Sequence, residues 1–153
     1  MNTLKIQIPE GFKVESFDEK NGTIKFAPLP KDIKDRIKTF DDVIRELGDD
    51  PEDFKNAISI MDEPDEIAYV KLKLIVKALN EGWTPDWENG KFDKYFPWFT
   101  MGSPSGVGFS YDVCATWCSL SHVGSRLCFK SRELAEYAGK QFTEIYKDFF
   151  TLK

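Results

Sequence analysis

Histidine occurs once and cysteine three times among the 153 residues. Three thiols cannot all pair within one chain, which fits a reducing compartment better than a secreted disulfide scaffold. Long apolar runs are missing as well: no stretch approaches the roughly 18–20 residues that span a bilayer. The first thirty residues lack a basic start followed by a hydrophobic stretch, so neither membrane insertion nor Sec-type export is expected, and the expected compartment is the cytoplasm. Positive charge is not in excess. With 21 basic against 26 acidic side chains the formal charge is -5, and the basic stripe that phosphate neutralisation requires is not visible, which speaks against nucleic acid as a partner. Gly102, Gly106 and Gly108 are not closed by a lysine followed by Ser or Thr, so the Walker pattern fails and a hairpin turn accounts for them. No internal repeat or low-complexity tail appears. What the chain does have is length: a folded domain of this size removes about 68–70% of its unfolded surface from water, enough for a core without staples.

The charge is uneven. Residues 1–66 carry 17 acids and 10 bases, residues 67–153 carry 9 and 11. We therefore distinguish an acidic N-terminal part, 1–66, from an aromatic-rich α+β part, 67–153, within one compact unit. The acidic run from Asp41 to Glu66 falls where helices begin, and carboxylates there satisfy free amide donors and the positive end of the helix dipole. A basic partner is not needed to explain it.

Leu4, Ile6 and Ile8 alternate with polar residues and predict a strand. Phe12 with Val14, and Ile24 with Phe26 beyond Asn21-Gly22, predict a hairpin or meander. Pro28 and Pro30 close this region. Thr39 with Asp42 three positions on starts a helix over about 40–47, Asp50-Pro51 a second, and Glu63-Pro64 a third. Between Ile67 and Asn80 a broad apolar face predicts a mostly buried central helix. A polar and aromatic loop over 83–94 precedes two strands, 95–101 and 106–113, and a third candidate over 126–129. Ser131 caps a last helix whose Leu134, Ala138, Phe142, Ile145 and Phe149 form one stripe. The expected fold is α+β: an N-terminal β-hairpin, short acidic helices, a buried central helix, and a small antiparallel sheet packed by a C-terminal helix.

All three cysteines and the histidine fall in one window, Cys114, Cys118, His122 and Cys128, spaced C-x3-C-x3-H-x5-C. Three thiolates and an imidazole suit tetrahedral zinc, and the span is similar to a retroviral-type zinc knuckle. The knuckle spacing is C-x2-C-x4-H-x4-C, however, and its basic character is absent. Cys128 also lies between Leu127 and Phe129 in an apolar run, the setting of a structural thiol. No metal ligand set is therefore assigned, and a zinc-stabilised nucleic-acid-associated protein stands as the alternative. A Cys/His nucleophile pair has no strand-to-helix turn or oxyanion loop to position it. Asp49 and Asp50 lack the apolar enclosure that would raise a carboxyl pKa. A third possibility, a small enzyme with an aromatic-lined pocket, would have to draw on Asp112, His122 and Arg126, which an ion pair also explains. No catalytic residue and no cofactor is assigned.

Aromatic density is the feature that remains. Every tryptophan lies between Trp83 and Trp117, and from Tyr95 to Phe129 only Asp112 and Arg126 are charged. Strand alternation puts Tyr95 and Trp98 on opposite faces, and likewise Phe96 and Phe99, so some rings leave the core side. A large exposed apolar patch usually marks a partner site. Trp83, Trp87, Tyr95, Trp98 and Tyr111 are the candidate partner-binding residues, with a protein as the expected partner.

The segments Tyr95–Phe99, Gly108–Tyr111 and above all Gly124–Phe142, with the opening Ile6–Phe12, resemble a family of small uncharacterised bacterial proteins whose setting is often phage or prophage DNA. The resemblance covers the C-terminal half well. It implies an accessory protein of phage or mobile-element origin and brings no activity, cofactor or catalytic residue with it.

Overall fold

Asp18 makes the first turn. Its carboxylate accepts from the Lys20 and Asn21 amides at 2.9 and 3.3 Å and from the Asn21 side chain at 2.7 Å, and Gly22 follows at φ +62°. Side-chain oxygens that bond their own backbone two or three residues on are what turn segments use. The computed structural model, which describes residues 6–28, 31–103 and 106–151, thus places β1 (Phe12–Asp18) antiparallel to β2 (Thr23–Pro28). The pairs Val14–Phe26 and Phe17–Ile24 are kept on one face by a bulge between Val14 and Ser16. The strand predicted over Leu4–Ile8 is corrected: Ile6 to Ile8 join no strand, and Leu4 and Lys5 lie outside the described residues. This hairpin belongs to the first of two compact units, Met1–Asp32 and Ile33–Lys153.

The second unit begins with a helical turn that the sequence pattern did not announce, α1 (Ile33–Arg36). Next comes α2 (Phe40–Glu46), entered through the predicted capping box: Thr39 Oγ1 accepts from the Asp42 amide at 3.2 Å, and Asp42 accepts from the Thr39 amide at 2.8 Å. The Thr39 hydroxyl also donates to the Asp42 carboxylate at 2.8 Å, and this bond, with those from the Thr39 and Lys38 amides, holds the carboxyl below its ordinary pKa. Asp50 caps α3 (Pro51–Ile58) by accepting from the Glu52 amide at 2.7 Å. The helix start at Glu63-Pro64 and the predicted central helix prove to be one element, α4 (Pro64–Leu79), which buries Ala68, Leu72, Ile75, Val76, Ala78 and Leu79. Removing each of the larger aliphatic side chains from water is worth about 1.5–3 kcal/mol.

The sheet of this unit pairs β3 (Lys94–Thr100) antiparallel with β4 (Ser110–Trp117). β4 starts later than the predicted 106–113 because the left-handed glycines hold Gly106 to Phe109 in the turn. A Cβ on Gly102, at φ +67°, would stand 2.1 Å from the Val107 carbonyl oxygen. The predicted third strand over 126–129 shrinks to one bridge, in which Tyr95 and Phe129 exchange both backbone hydrogen bonds at 3.1 and 2.7 Å. The last predicted helix is two, α5 (Arg132–Gln141) and α6 (Thr143–Phe150). Phe142 leaves helical geometry at φ -115°, ψ 28°. The Thr143 hydroxyl donates back to the Gly139 carbonyl at 2.6 Å, a competition with the helical ladder that bends helices.

α5 lies against the sheet at Gly139, where a Cβ would meet the Tyr111 ring at 2.5 Å and Pro97 Cβ at 2.8 Å. Glycine sits mid-helix here for close approach. One core joins α4 to the helical layer and sheet through Leu72, Ile75, Phe129, Leu134, Phe142 and Tyr146. The fold of the chain is α+β, with a hairpin at its N-terminal end and C-terminal helices packed on a sheet.

Candidate functional site

Strand alternation sorts the rings of β3. Tyr95, Pro97 and Phe99 take the side covered by the helices: the Arg132 guanidinium of α5 lies 5.9 Å from the Tyr95 ring centroid, and Phe99 packs at 4.7 Å on Tyr146 of α6. Phe96 and Trp98 take the other side. There the His122 imidazole stands edge-on to three rings, at centroid distances of 5.3 Å from Phe96, 5.3 Å from Trp117 and 6.3 Å from Trp98. Edge-to-face contacts at such distances are the favoured geometry of facing rings. The only histidine of the chain is thus the centre of an aromatic cluster.

Phe96 is sealed, whereas Trp98 is 45% exposed and Met101 44%, and His122 is exposed as well. Behind this rim opens a cavity of about 360 Å³, walled by Phe96 and Trp98 of β3, Val123 and Leu127, and Phe149 and Phe150 of α6. Tyr146 also lines it. Its hydroxyl is buried and has no hydrogen-bond partner among the described residues, and burial drives its pKa upward. The only other buried side-chain donor in that position among the described residues is Trp117 Nε1.

The five candidate partner residues do not form one group. Trp83 is half-buried beyond the end of α4, its amide bonded to the Asn80 carbonyl at 3.0 Å. Trp87 is half-buried with the Lys94 ammonium 5.3 Å from its ring centroid. Tyr95 and Tyr111 are half-buried on the helix-covered face, Tyr111 beneath the Lys140 ammonium at 5.2 Å. The Tyr95 phenol is shifted up by burial and by the Asp93 carboxylate, that of Tyr111 by burial and by Glu136. Trp98 alone of the five is exposed and joins the His122 cluster.

The four candidate zinc ligands also separate. Cys114 is buried in β4, and burial raises its thiol pKa. Cys118 is exposed and donates to Asp93 Oδ1 at 3.3 Å, a bond that holds its proton and raises its pKa. Cys128 is fully buried, with its pKa pushed up to about 11 by desolvation. His122 faces rings. Among the described residues no group of three or more His, Cys, Asp or Glu side chains is placed to hold a metal ion. No helix among them is long and apolar enough to cross a membrane.

The chain matches no family model, no curated protein and no solved structure.

The sequence pattern did not signal the α6 wall of the cavity. Phe149 belongs to an amphipathic stripe that core packing alone would explain. Beyond the break at Phe142, Tyr146 and Phe150 of α6 pack on Phe99 of β3. His122 drew attention as a metal ligand, and its ring contacts come from segments that meet only through the fold.

Proposed function

We propose that this chain is a non-catalytic protein-interaction module whose contact surface is the rim formed by Trp98, Met101 and His122. The observation that carries this reading is the half-exposed indole of Trp98, fixed in place by His122 and flanked by the exposed Met101 thioether. Tryptophan and methionine are enriched where proteins meet, and a rigid indole gives much contact area for little lost side-chain freedom. The exposed thiol, Cys118, donates to Asp93, and that bond raises its pKa and so disfavours the thiolate that nucleophilic chemistry needs. A phage or mobile-element origin is part of the proposal and rests on the sequence resemblance alone.

The test is retention of a partner by the immobilised chain. Lysate from a phage-carrying host is passed over wild type and Trp98→Ala, and retained proteins are purified and rebound singly. A protein held by wild type and released by Trp98→Ala supports the reading. Equal retention of every bound protein by both forms overturns it.

A further inference from the structure

A phenol hydroxyl that is buried without a partner has given up its hydrogen bond to water, so a ligand that supplies an acceptor there gains by restoring one. Tyr146 is 3% exposed and leaves its donor unpaired among the described residues, while lining a cavity of about 360 Å³. That volume lies in the range of small-molecule sites, which are mostly apolar with few polar groups to fix orientation. The rest of the lining is mostly rings and aliphatic side chains, among them Phe96, Val123 and Leu127, and it also includes Tyr69 and the exposed His122. Flat apolar faces select flat apolar ligands, and the one lining donor that is buried without a partner among the described residues selects an acceptor.

We infer that the cavity behind Trp98 binds a small planar ring system carrying a hydrogen-bond acceptor, which the Tyr146 hydroxyl engages. This goes beyond the protein-docking rim and does not depend on it, because the ligand seats inside the wall rather than on the surface. The hydroxyl is out of solvent contact, so engaging it includes a small parting of the rings around it. Phe99 at 4.7 Å and Phe150 at 6.4 Å are the rings in contact with the Tyr146 ring, and Phe150, in the last turn of α6, is the more exposed of the two.

Quinoline and naphthalene make the test, since they share one shape and differ by a ring nitrogen that accepts a hydrogen bond. Each is titrated by NMR into the full chain carrying labelled methyl groups and 13C-labelled tyrosine. Both are expected to shift the Val123 and Leu127 methyl signals, and only quinoline to shift the Tyr146 ring carbon that bears the hydroxyl. In Tyr146→Phe, the quinoline-to-naphthalene affinity ratio is expected to fall about fivefold, the size of one net hydrogen bond. Val123→Phe, which fills the cavity, should abolish both titrations. The wild-type ring-carbon shift needs no variant to fold. The inference is overturned if neither probe moves the cavity methyls, if the Tyr146 carbon responds to both probes alike, or if the affinity ratio is unchanged in Tyr146→Phe. Loss of the probe response with Trp98-dependent partner retention intact removes the small-molecule site and leaves the docking rim.

Discussion

The Lys94 ammonium donates to the Cys118 carbonyl oxygen at 2.8 Å, joining the first residue of β3 to the chain just beyond the end of β4. It also donates to the carbonyls of Phe92 at 2.8 Å and Asn89 at 3.2 Å, with Trp87 over it. Lys94 is fully buried. A single cation therefore ties the loop before β3, the chain beyond β4 and a tryptophan together. Replacing it with methionine keeps the stem and leaves three carbonyls without their donor. We expect Lys94→Met to lose about 2–4 kcal/mol of stability, from the cost of unpaired acceptors, measured by urea denaturation. Amide exchange over 86–93 should quicken in the same variant.

Asn80 works as a short bridge between α4 and the segment before α5. Its buried side chain donates through Nδ2 to the Cys128 carbonyl at 2.9 Å and accepts through Oδ1 from the Lys130 amide at 3.0 Å. Asn80→Ala leaves both backbone groups unpaired and should cost about 2–3 kcal/mol. Asn80→Asp keeps the acceptor but turns a second carboxylate oxygen toward the Cys128 carbonyl in a buried site, and should cost at least as much as alanine in the same denaturation series.

Gly139 tests the helix-to-sheet approach. Alanine ordinarily stabilises a helix interior by about 1 kcal/mol over glycine. Here its Cβ would meet the Tyr111 ring at 2.5 Å, and overpacking of this kind costs about 1–3 kcal/mol. Gly139→Ala should therefore lower the melting temperature, and a gain would mean that α5 stands farther from β4.

Alkaline pH should weaken the fold. The Cys128 thiol, with an ordinary value of 9.0, is pushed up to about 11 in the folded chain by desolvation. Between these values the unfolded chain releases a proton that the folded chain keeps, so the unfolded state binds fewer protons and stability falls as pH rises. Below about pH 9 this contribution is fully present. Tyr146, also raised by burial, acts in the same direction above its ordinary 10.0. Stability measured from pH 8 to 11 should decline, and the decline should be shallower in Cys128→Ala whatever that variant's absolute stability.

What was legible in the sequence follows the range of the physics involved. The caps at Thr39, Asp50 and Ser131 and the turn at Asn21-Gly22 are local interactions, written within four residues, and they appear where the pattern put them. The broad apolar face of α4 likewise announced a buried helix. The break at Phe142 escaped the periodicity because Leu134, Ala138, Phe142, Ile145 and Phe149 keep one stripe across it. Its cause, a threonine hydroxyl competing for a carbonyl, leaves hydrophobicity unchanged. Phe129 looked like a strand residue because of its apolar neighbours, yet it pairs only at Tyr95. At the candidate site, alternation along β3 correctly divided Trp98 from Tyr95. The cavity was illegible, since Tyr69, His122 and Tyr146 meet there from distant positions in the chain.

The docking rim stands or falls on one comparison of affinities for a purified partner: wild type, Trp98→Ala and Phe92→Ala. Phe92 is 62% exposed and makes no ring contact with the His122 cluster among the described residues, so it controls for general stickiness. A central tryptophan typically contributes 2 kcal/mol or more to an interface, about thirtyfold in affinity. Trp98→Ala should bind at least about tenfold more weakly at an unchanged melting temperature, with Phe92→Ala close to wild type. Wild-type affinity in Trp98→Ala, with the loss appearing in Phe92→Ala instead, would contradict the assignment.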